Sequence, residues 1–104
     1  MKKILLACNA GMSTSLLVTR MQKAAKEKGI EAQIEAMGVT MAEGVMLDWD
    51  ICLLGPQVRH EIKAFQLKAN GKIPVKVIDM RDYGLMNGEK VLADALKTIK
   101  EHNK

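Results

Sequence analysis

A cysteine, a glycine and three consecutive hydroxyl residues follow the first apolar run of this sequence. The run Ile4–Ala7 leads to Cys8, Gly11 comes three residues later, and Ser13–Ser15 follow. Glycine permits a tight turn, and Ser or Thr is a good N-terminal cap for a helix. The backbone N–H groups of such a turn and of a helix start can converge on one point, where they bind a phosphoryl dianion or stabilise a thiolate. The stretch therefore predicts a nucleophilic Cys8 within a phosphate-binding loop.

No cationic side chain lies within this loop, which limits the kinds of phosphoryl chemistry that it can catalyse. The lysine of a nucleotide-binding P-loop, GxxxxGK[ST], is absent. Low-molecular-weight tyrosine phosphatases have an arginine after Cys and five further residues, and in this sequence Thr14 stands at that position. Arginine clamps the oxygens of a transferring phosphoryl group by charge-assisted, bidentate hydrogen bonds, which threonine cannot make. A loop with only neutral donors suits a carrier that holds a phosphoryl group better than a hydrolase that releases it.

The elements that must position this loop alternate between short apolar runs and amphipathic stretches, which predicts an α/β fold with a parallel sheet. We expect a helix from about Ser13 to Lys28, capped by Gly29, and a short helix around Met41–Leu47. Further helices are expected at about Gln57–Asn70 and Gly88–Lys100. The predicted strands are Lys3–Ala7, Glu31–Met37, Ile51–Leu54 and Pro74–Asp79.

Strand composition predicts the order of the sheet. The first and third strands are continuously apolar, as in strands covered by helices on both faces. The second alternates polar and apolar residues, and the fourth contains Lys76 and begins at Pro74, which are features of edge strands. We therefore expect a four-stranded parallel sheet in the order 2-1-3-4, with helices on both faces. Ligands bind such sheets beyond the carboxyl ends of the strands at the switch point, which here lies between strands 1 and 3, where Cys8 falls.

Length and composition limit the other classes of function. The 104 residues suit a single domain, with 48% apolar and 27% charged residues. The net charge of +4 is dispersed and aromatic residues are few, so nucleic-acid binding is not expected. Cys8 and Cys52 form no metal-binding pair, and Cys52 lies inside an apolar strand as a core residue, so we expect no metal and no cofactor. No apolar stretch is long enough to insert into a membrane, which favours a cytoplasmic protein.

Three motifs together resemble a known family. The stretch CNAGMSTSLLV resembles the phosphocysteine loop of enzyme IIB of the sugar phosphotransferase system, in the lactose/cellobiose/chitobiose class, and LLGPQV and VIDMRDYG extend the likeness over nearly the whole chain. The resemblance implies a four-stranded parallel sheet and a single IIB-type domain over residues 1–104. It also implies that Cys8 is the nucleophile of a phosphotransferase, and that its phosphate-binding loop comprises Asn9, Ala10, Gly11, Met12, Ser13, Thr14 and Ser15.

The same resemblance implies partners. Cys8 would accept a phosphoryl group from a phosphohistidine of a IIA protein and donate it to a sugar bound by the membrane permease IIC. The sugar would be a disaccharide such as cellobiose, chitobiose or lactose. The protein would then be cytoplasmic and associate with the membrane transiently, through IIC.

Several residues beyond the loop are expected on the rim of the same crevice. Arg59 and His60 follow the third strand, and Asp82 and Tyr83 follow the fourth, so each could contact a partner or assist transfer. In a phosphatase, an Asp from the segment after the fourth strand, Asp79 or Asp82, would protonate the leaving group. Two alternatives to the carrier stay open from the residues alone. One is a thiol enzyme like the low-molecular-weight tyrosine phosphatases or arsenate reductases, and the other is a module that merely binds an anion.

Overall fold

The computed structural model describes residues 1–9 and 12–103, with the backbone alone described for residues 12 and 13. Four strands alternate with helices along the chain. The strands are β1 (Lys2–Cys8), β2 (Ala32–Gly38), β3 (Ile51–Leu54) and β4 (Val75–Val77). The helices are α1 (Met12–Glu27), α2 (Val39–Val45), α3 (Ile62–Ala69), α4 (Met80–Gly84) and α5 (Gly88–His102). Two 3-10 helices, Met46–Asp48 and Pro56–Glu61, precede β3 and α3.

The strands form one parallel sheet in the order β2-β1-β3-β4, which confirms the predicted topology. The two continuously apolar strands, β1 and β3, are the central pair, and every residue of β3 is buried. In β2 the polar residue Glu35 is exposed while Ile34 is buried, as expected of an edge strand. The register pairs Cys8 with Gly38 and Ala7 with Leu54, so the carboxyl ends of three strands meet beside Cys8.

Helices cover both faces of the sheet, because alternate residues of β1 point to opposite sides. Ile4 and Leu6 pack into a core with α1 and α5, which contribute Leu17, Met21 and Leu92 among others. Leu5 and Ala7 belong to a second core, which α2, α3 and the segment before β3 complete with Ala42, Phe65, Met46 and Trp49. The sheet is therefore the middle layer of three, as the apolar β1 and β3 predicted.

Three segments differ from the prediction at the carboxyl edge of the sheet. The fourth strand, predicted as Pro74–Asp79, is shorter and ends at Val77. The helix expected from Gln57 starts instead as a 3-10 helix at Pro56, and the α-helix begins at Ile62, because Val58 has non-helical dihedral angles (φ −117°, ψ 23°). After β4 the structure has a further helix, α4, in the segment that the sequence placed after the last strand without assigning it an element. The side chain of Asp79 caps α4 by accepting hydrogen bonds from the backbone N–H groups of Arg81 and Asp82, at 2.9 and 3.1 Å.

A glycine lets α1 and α5 approach closely. Gly88, the first residue of α5, is buried against α1, and a Cβ atom there would lie 2.6 Å from the backbone carbonyl carbon and Cβ of Arg20 and from the backbone nitrogen of Met21. Only glycine fits at this distance. The contact fixes α1, whose N-terminus follows Cys8. Within the described part of the chain, none of the helices combines the length and the hydropathy that crossing a bilayer requires.

Candidate active site

Cys8 is the last residue of the central strand β1 and lies at the carboxyl edge of the sheet. Its relative exposure is 6%, so most of the residue is enclosed and a small part reaches the surface. Two glycines flank it: Gly38, the last residue of β2, pairs with it in the register, and a Cβ atom at Gly55, which follows β3, would lie 3.5 Å from the Cβ of Cys8. Gly55 is fixed there because its N–H donates to the carbonyl of Ala7 at 2.9 Å. A Cβ atom at Gly38 would lie 3.9 Å from the carbonyl oxygen of Cys8, and one at Gly55 would lie 3.1 Å from Oε1 of Gln57, so both glycines pack closely beside the cysteine.

Helix α1 begins at Met12, four residues after Cys8, and points its N-terminus to the edge where the cysteine lies. The first N–H groups of a helix have no partner within it, and together with the helix dipole they favour a bound anion. The first turn of α1 contains no acidic residue that would oppose such an anion. Of the seven predicted loop residues, Ala10 and Gly11 lie outside the described residues, as do the side chains of Met12 and Ser13.

The remaining loop residues differ in their exposure. Asn9 and Ser15 are exposed, and the carbonyl of Ser15 accepts a hydrogen bond from the hydroxyl of Thr19 at 3.0 Å. Thr14, in contrast, is buried with 1% exposure. Its Oγ1 atom lies 3.1 Å from the hydroxyl of Tyr83, and either hydroxyl could be the donor. The residue at the position of the phosphatase arginine is thus engaged with a neutral hydroxyl that comes from α4.

The four residues expected on the rim fall into two pairs. Arg59 and His60 are exposed: Nη1 of Arg59 donates to the carbonyl of Pro56 at 3.1 Å, and Nε2 of His60 lies 3.4 Å from Oε2 of Glu61. Asp82 and Tyr83 are instead buried, with 7% and 8% exposure. Their side chains point into the protein because both lie in α4, which the sequence did not predict.

Asp82 belongs to a charged cluster that joins α4 to α5. Its Oδ2 atom lies 3.1 Å from Nζ of Lys90, which also contacts Oδ2 of Asp94 at 3.2 Å. The hydrogen bonds and charges of these two carboxylates raise the pKa of Lys90, so the ammonium form is stabilised. The spacing of Lys90 and Asp94 on one helix is visible in the sequence, whereas the pairing with Asp82 depends on the position of α4.

The second cysteine has a different environment. Cys52 lies in β3 with 0% exposure, within the core on the face of α2 and α3. Burial raises the pKa of its thiol from 9.0 to about 12, because the apolar surroundings disfavour the thiolate. Both cysteines are free thiols. Cys52 is thus an inert core residue, as its place in an apolar strand predicted, whereas Cys8 lies at the carboxyl edge of the sheet with 6% exposure.

A cavity of about 280 Å³ lies beside β4 and α5, and Cys8 is not among its lining residues. Its polar lining comes from Lys76, Asp79, Asp82, Lys90 and Asp94. In the described residues, no group of three or more His, Cys, Asp or Glu side chains is placed to hold a metal ion. This cavity is therefore separate from Cys8, which lies at the carboxyl edge of the sheet.

Comparison with a family model gives a match over most of the chain. Residues 3–94 match the model described as "PTS system, Lactose/Cellobiose specific IIB subunit". The sequence is 47% identical to the oligo-beta-mannoside-specific EIIB component of Bacillus subtilis, covering 95% of this chain and 97% of the relative. It is 46% identical to the galactose-specific EIIB component of Lactococcus lactis subsp. cremoris and 45% identical to the cellobiose-specific EIIB component of Lactococcus lactis subsp. lactis. Each of these alignments covers 90% of this chain and 93% of the relative.

Two solved structures have the same fold. The cellobiose-specific phosphotransferase IIB component of Borrelia burgdorferi superposes with a TM-score of 0.81 at 45% identity, covering 97% of this chain and 94% of that one. The lactose-specific IIB component domain of Streptococcus pneumoniae has a TM-score of 0.84 at 18% identity, covering 93% of this chain and 96% of that one, and this shows a shared fold. The three-layer architecture described above is therefore common to these proteins.

Proposed function

This chain belongs to the lactose/cellobiose-specific IIB subunit family of the sugar phosphotransferase system, and we propose that Cys8 is the residue on which it carries the phosphoryl group. As a IIB component it is a phosphotransferase that serves sugar uptake, and such components work together with IIA and IIC partners. The observation that carries the assignment to Cys8 is its position. It ends the central strand four residues before the start of α1, beside Gly38 and Gly55.

Two in-line displacements make up the reaction. In the first, the thiolate of Cys8 attacks the phosphorus of a phosphohistidine on IIA. The S–P bond forms as the P–N bond breaks, and the leaving imidazole nitrogen keeps the electron pair and takes up a proton. In the second, a hydroxyl of the sugar bound to IIC attacks the same phosphorus and loses its proton. The O–P bond forms as the S–P bond breaks, and the Cys8 thiolate is released.

The first turn of α1 suits the charge that this chemistry creates. Its backbone N–H groups donate to the phosphoryl oxygens, and the helix dipole contributes about 0.3–1 kcal/mol, or up to about 2 kcal/mol in a partly buried site. The loop Asn9–Ser15 supplies further donors. No cation is needed to hold the dianion, and the absence of an arginine at position 14 removes the group that a phosphatase uses to stabilise the attack of water.

Arg59 and His60 suit the approach of a phosphorylated donor. Both are exposed on the turn after β3, and Arg59 is held against the carbonyl of Pro56, next to Gly55. A positive charge there attracts the dianion of phosphohistidine before contact. The helices that follow β1, β2 and β4 carry exposed apolar side chains, namely Leu16, Met41 and Met80. These side chains offer contact area first for IIA and then for IIC.

The remaining assignments follow from the family. We place the protein in the cytoplasm, with its residues 1–104 acting as one IIB-type domain that reaches the membrane through IIC. The sugar is a disaccharide such as cellobiose, chitobiose or lactose. Relatives of nearly equal identity carry the names of three different sugars, which supports our assignment of sugar selection to IIC rather than to this chain.

Mass spectrometry of the protein after incubation with phosphorylated IIA tests the proposal. We expect a mass increase of one phosphoryl group on Cys8, which is lost in Cys8→Ser. The matched control is Cys52→Ser, which removes the buried thiol and keeps the adduct. The adduct should disappear when IIC and its sugar are added, with formation of the sugar phosphate.

Other results would favour the other two classes of function. Rapid release of inorganic phosphate from an aryl phosphate, without IIA, would identify a phosphatase. Neither an adduct nor turnover, with inorganic phosphate bound at the loop, would identify an anion-binding module. An adduct that persists in Cys8→Ser and is lost in Cys52→Ser would overturn the assignment of the nucleophile.

A further inference from the structure

A buried hydrogen bond connects the segments that follow the first and last strands of the sheet. It joins Oγ1 of Thr14, in the first turn of α1, to the hydroxyl of Tyr83 in α4, and the distance is 3.1 Å. Both residues are shielded from water, with 1% and 8% exposure. Because water has little access to this position, it cannot replace either hydroxyl, and each depends on the other as its hydrogen-bond partner.

Tyr83 is carried by a short helix that is anchored at two points. The carboxylate of Asp79 caps its N-terminus through the N–H groups of Arg81 and Asp82. The carboxylate of Asp82 is paired with Lys90 of α5 at 3.1 Å. A five-residue helix is marginal alone, so these contacts, together with the packing of Tyr83 in the core that α1 and α5 share, fix the phenol in place. Tyr83 is therefore a fixed support beneath the start of α1.

We propose that Tyr83 is a positioning residue for phosphoryl transfer. It acts through Thr14 by holding the first turn of α1 in the orientation in which its backbone N–H groups receive the phosphoryl group. This rests on the proposed function of Cys8. A hydroxyl has one proton to donate and can also accept. Thr14 lies in the first turn of α1, so a change in this turn when Cys8 is charged should alter the hydrogen bond to the Tyr83 phenol. Tyr83 itself does not touch the reacting atoms.

Removal of single hydroxyl groups tests this role. We expect Tyr83→Phe, which keeps the ring, to slow the transfer from phosphorylated IIA to Cys8 about three- to tenfold. Tenfold corresponds to about 1.4 kcal/mol, the upper part of what one neutral hydrogen bond contributes. Thr14→Val should cause a loss of similar size, and the double variant should be no slower than the slower single variant, because both act through one bond. Thr14→Ser should recover most of the rate lost in Thr14→Val.

Thr98→Val is the matched control. The Thr98 hydroxyl is likewise hydrogen-bonded, to Lys76 of β4 and the carbonyl of Asp94, but it lies in the last turns of α5 rather than in the first turn of α1. We expect the transfer rate of this variant to equal that of the wild type. A purely structural role for Tyr83 would change the unfolding free energy and leave the transfer rate of the folded protein unchanged.

A spectroscopic measurement gives a second, independent readout. The chain has one tyrosine, so 13C labelling of the phenol carbon that bears the hydroxyl gives one resonance from Tyr83. We expect this resonance to shift when Cys8 is phosphorylated in the wild type and to stay in place in Thr14→Val. It decides the question even if Tyr83→Phe does not fold.

The results separate this inference from the proposed function. No adduct on the wild type would refute the role of Cys8. If the wild type is phosphorylated on Cys8 and Tyr83→Phe is phosphorylated at the wild-type rate, the role of Tyr83 alone is overturned. Losses that add up in the double variant would overturn it as well. A tyrosine resonance that does not respond to charging would do the same.

Discussion

The contact between α1 and α5 makes Gly88→Ala a destabilising substitution. The added methyl group would lie 2.6 Å from three atoms of Arg20 and Met21, two of them backbone atoms. Carbon atoms pack optimally at about 3.5–4.0 Å, so each contact is short by about 1 Å. No rotation of a side chain can relieve an overlap with backbone, and the two helices must move apart.

Overpacking of this kind costs about 1–3 kcal/mol, and we expect a loss near the upper limit because the obstructing atoms are backbone. Alanine also lowers the conformational entropy of the unfolded chain, which offsets about 0.4–1 kcal/mol of this. The net expected loss in unfolding free energy is about 2 kcal/mol. Urea titration measures it, followed by the fluorescence of Trp49, which is the one tryptophan and is 7% exposed.

Gly44→Ala is the matched control for this measurement. Gly44 lies inside α2, where a Cβ atom would meet nothing within 4 Å. The same glycine-to-alanine change should therefore stabilise the protein by about 0.5–1 kcal/mol. If Gly88→Ala is as stable as the wild type, or changes the unfolding free energy by the same amount as Gly44→Ala, the close approach of α1 and α5 does not exist as described.

Two further predictions concern Cys52 and Asp79. Burial raises the pKa of the Cys52 thiol from 9.0 to about 12, so its contribution to stability is fully present below pH 9 and is lost as the pH rises through 12. At pH 11 the Cys52 thiol is deprotonated in the unfolded chain and protonated in the folded protein, which should lower the unfolding free energy by about 2–3 kcal/mol. In urea titrations between pH 9 and 11, the unfolding free energy of Cys52→Ala should therefore decline less with pH than that of the wild type. Identical declines would contradict the assignment. Asp79→Ala removes the acceptor of two N–H groups of α4 and should cost about 1 kcal/mol in the same titration. Asp79→Asn retains a capping oxygen and should cost clearly less, whereas an equal loss would mean that the cap is not what stabilises α4.

The topology of the sheet was predictable because burial leaves a mark on strand composition. Continuous apolar residues in Ile4–Ala7 and Ile51–Leu54 identified the central strands, while alternation in the second strand and Pro74 in the fourth identified the edges. The bounds of β3 agree with the prediction residue by residue, and those of β1 and β2 within one. A strand covered on both faces needs apolar residues at successive positions, so its burial can be predicted from a single sequence.

Helix α4 was not predicted, since its formation depends on a cap rather than on an apolar face. Five residues are too few for a helical period, and its first residue, Met80, is exposed at 64%. What stabilises the helix is the carboxylate of Asp79, a local interaction, together with the contact of Asp82 to Lys90, eight residues later. The same reason placed Asp82 and Tyr83 on the rim in the prediction, because without a helix there was no argument to turn them inwards.

The position of Cys8 followed from topology, but the partner of Thr14 did not. A cysteine at the end of a central strand must lie at the carboxyl edge of a parallel sheet. The hydrogen bond between Thr14 and Tyr83 spans 69 residues and requires both side chains to point to the same side of the site. No periodicity or local motif encodes such a pairing, so it had to be observed.

Position 14 distinguishes a carrier from a hydrolase on physical grounds. An arginine there would place a fixed cation against the phosphoryl oxygens and stabilise the transition state for any nucleophile, including water. In this protein the position holds a buried hydroxyl whose partner is another neutral hydroxyl. Under our proposal the phosphoryl group on Cys8 is held by backbone N–H groups, which stabilise the attack of water less than a bidentate cation would, and its transfer depends on the sugar that IIC presents. Introducing a cation at position 14 would bring the site closer to a phosphatase, at the cost of a buried charge without a carboxylate partner. We therefore expect the neutral pair to lengthen the lifetime of phosphocysteine relative to a site with arginine at position 14.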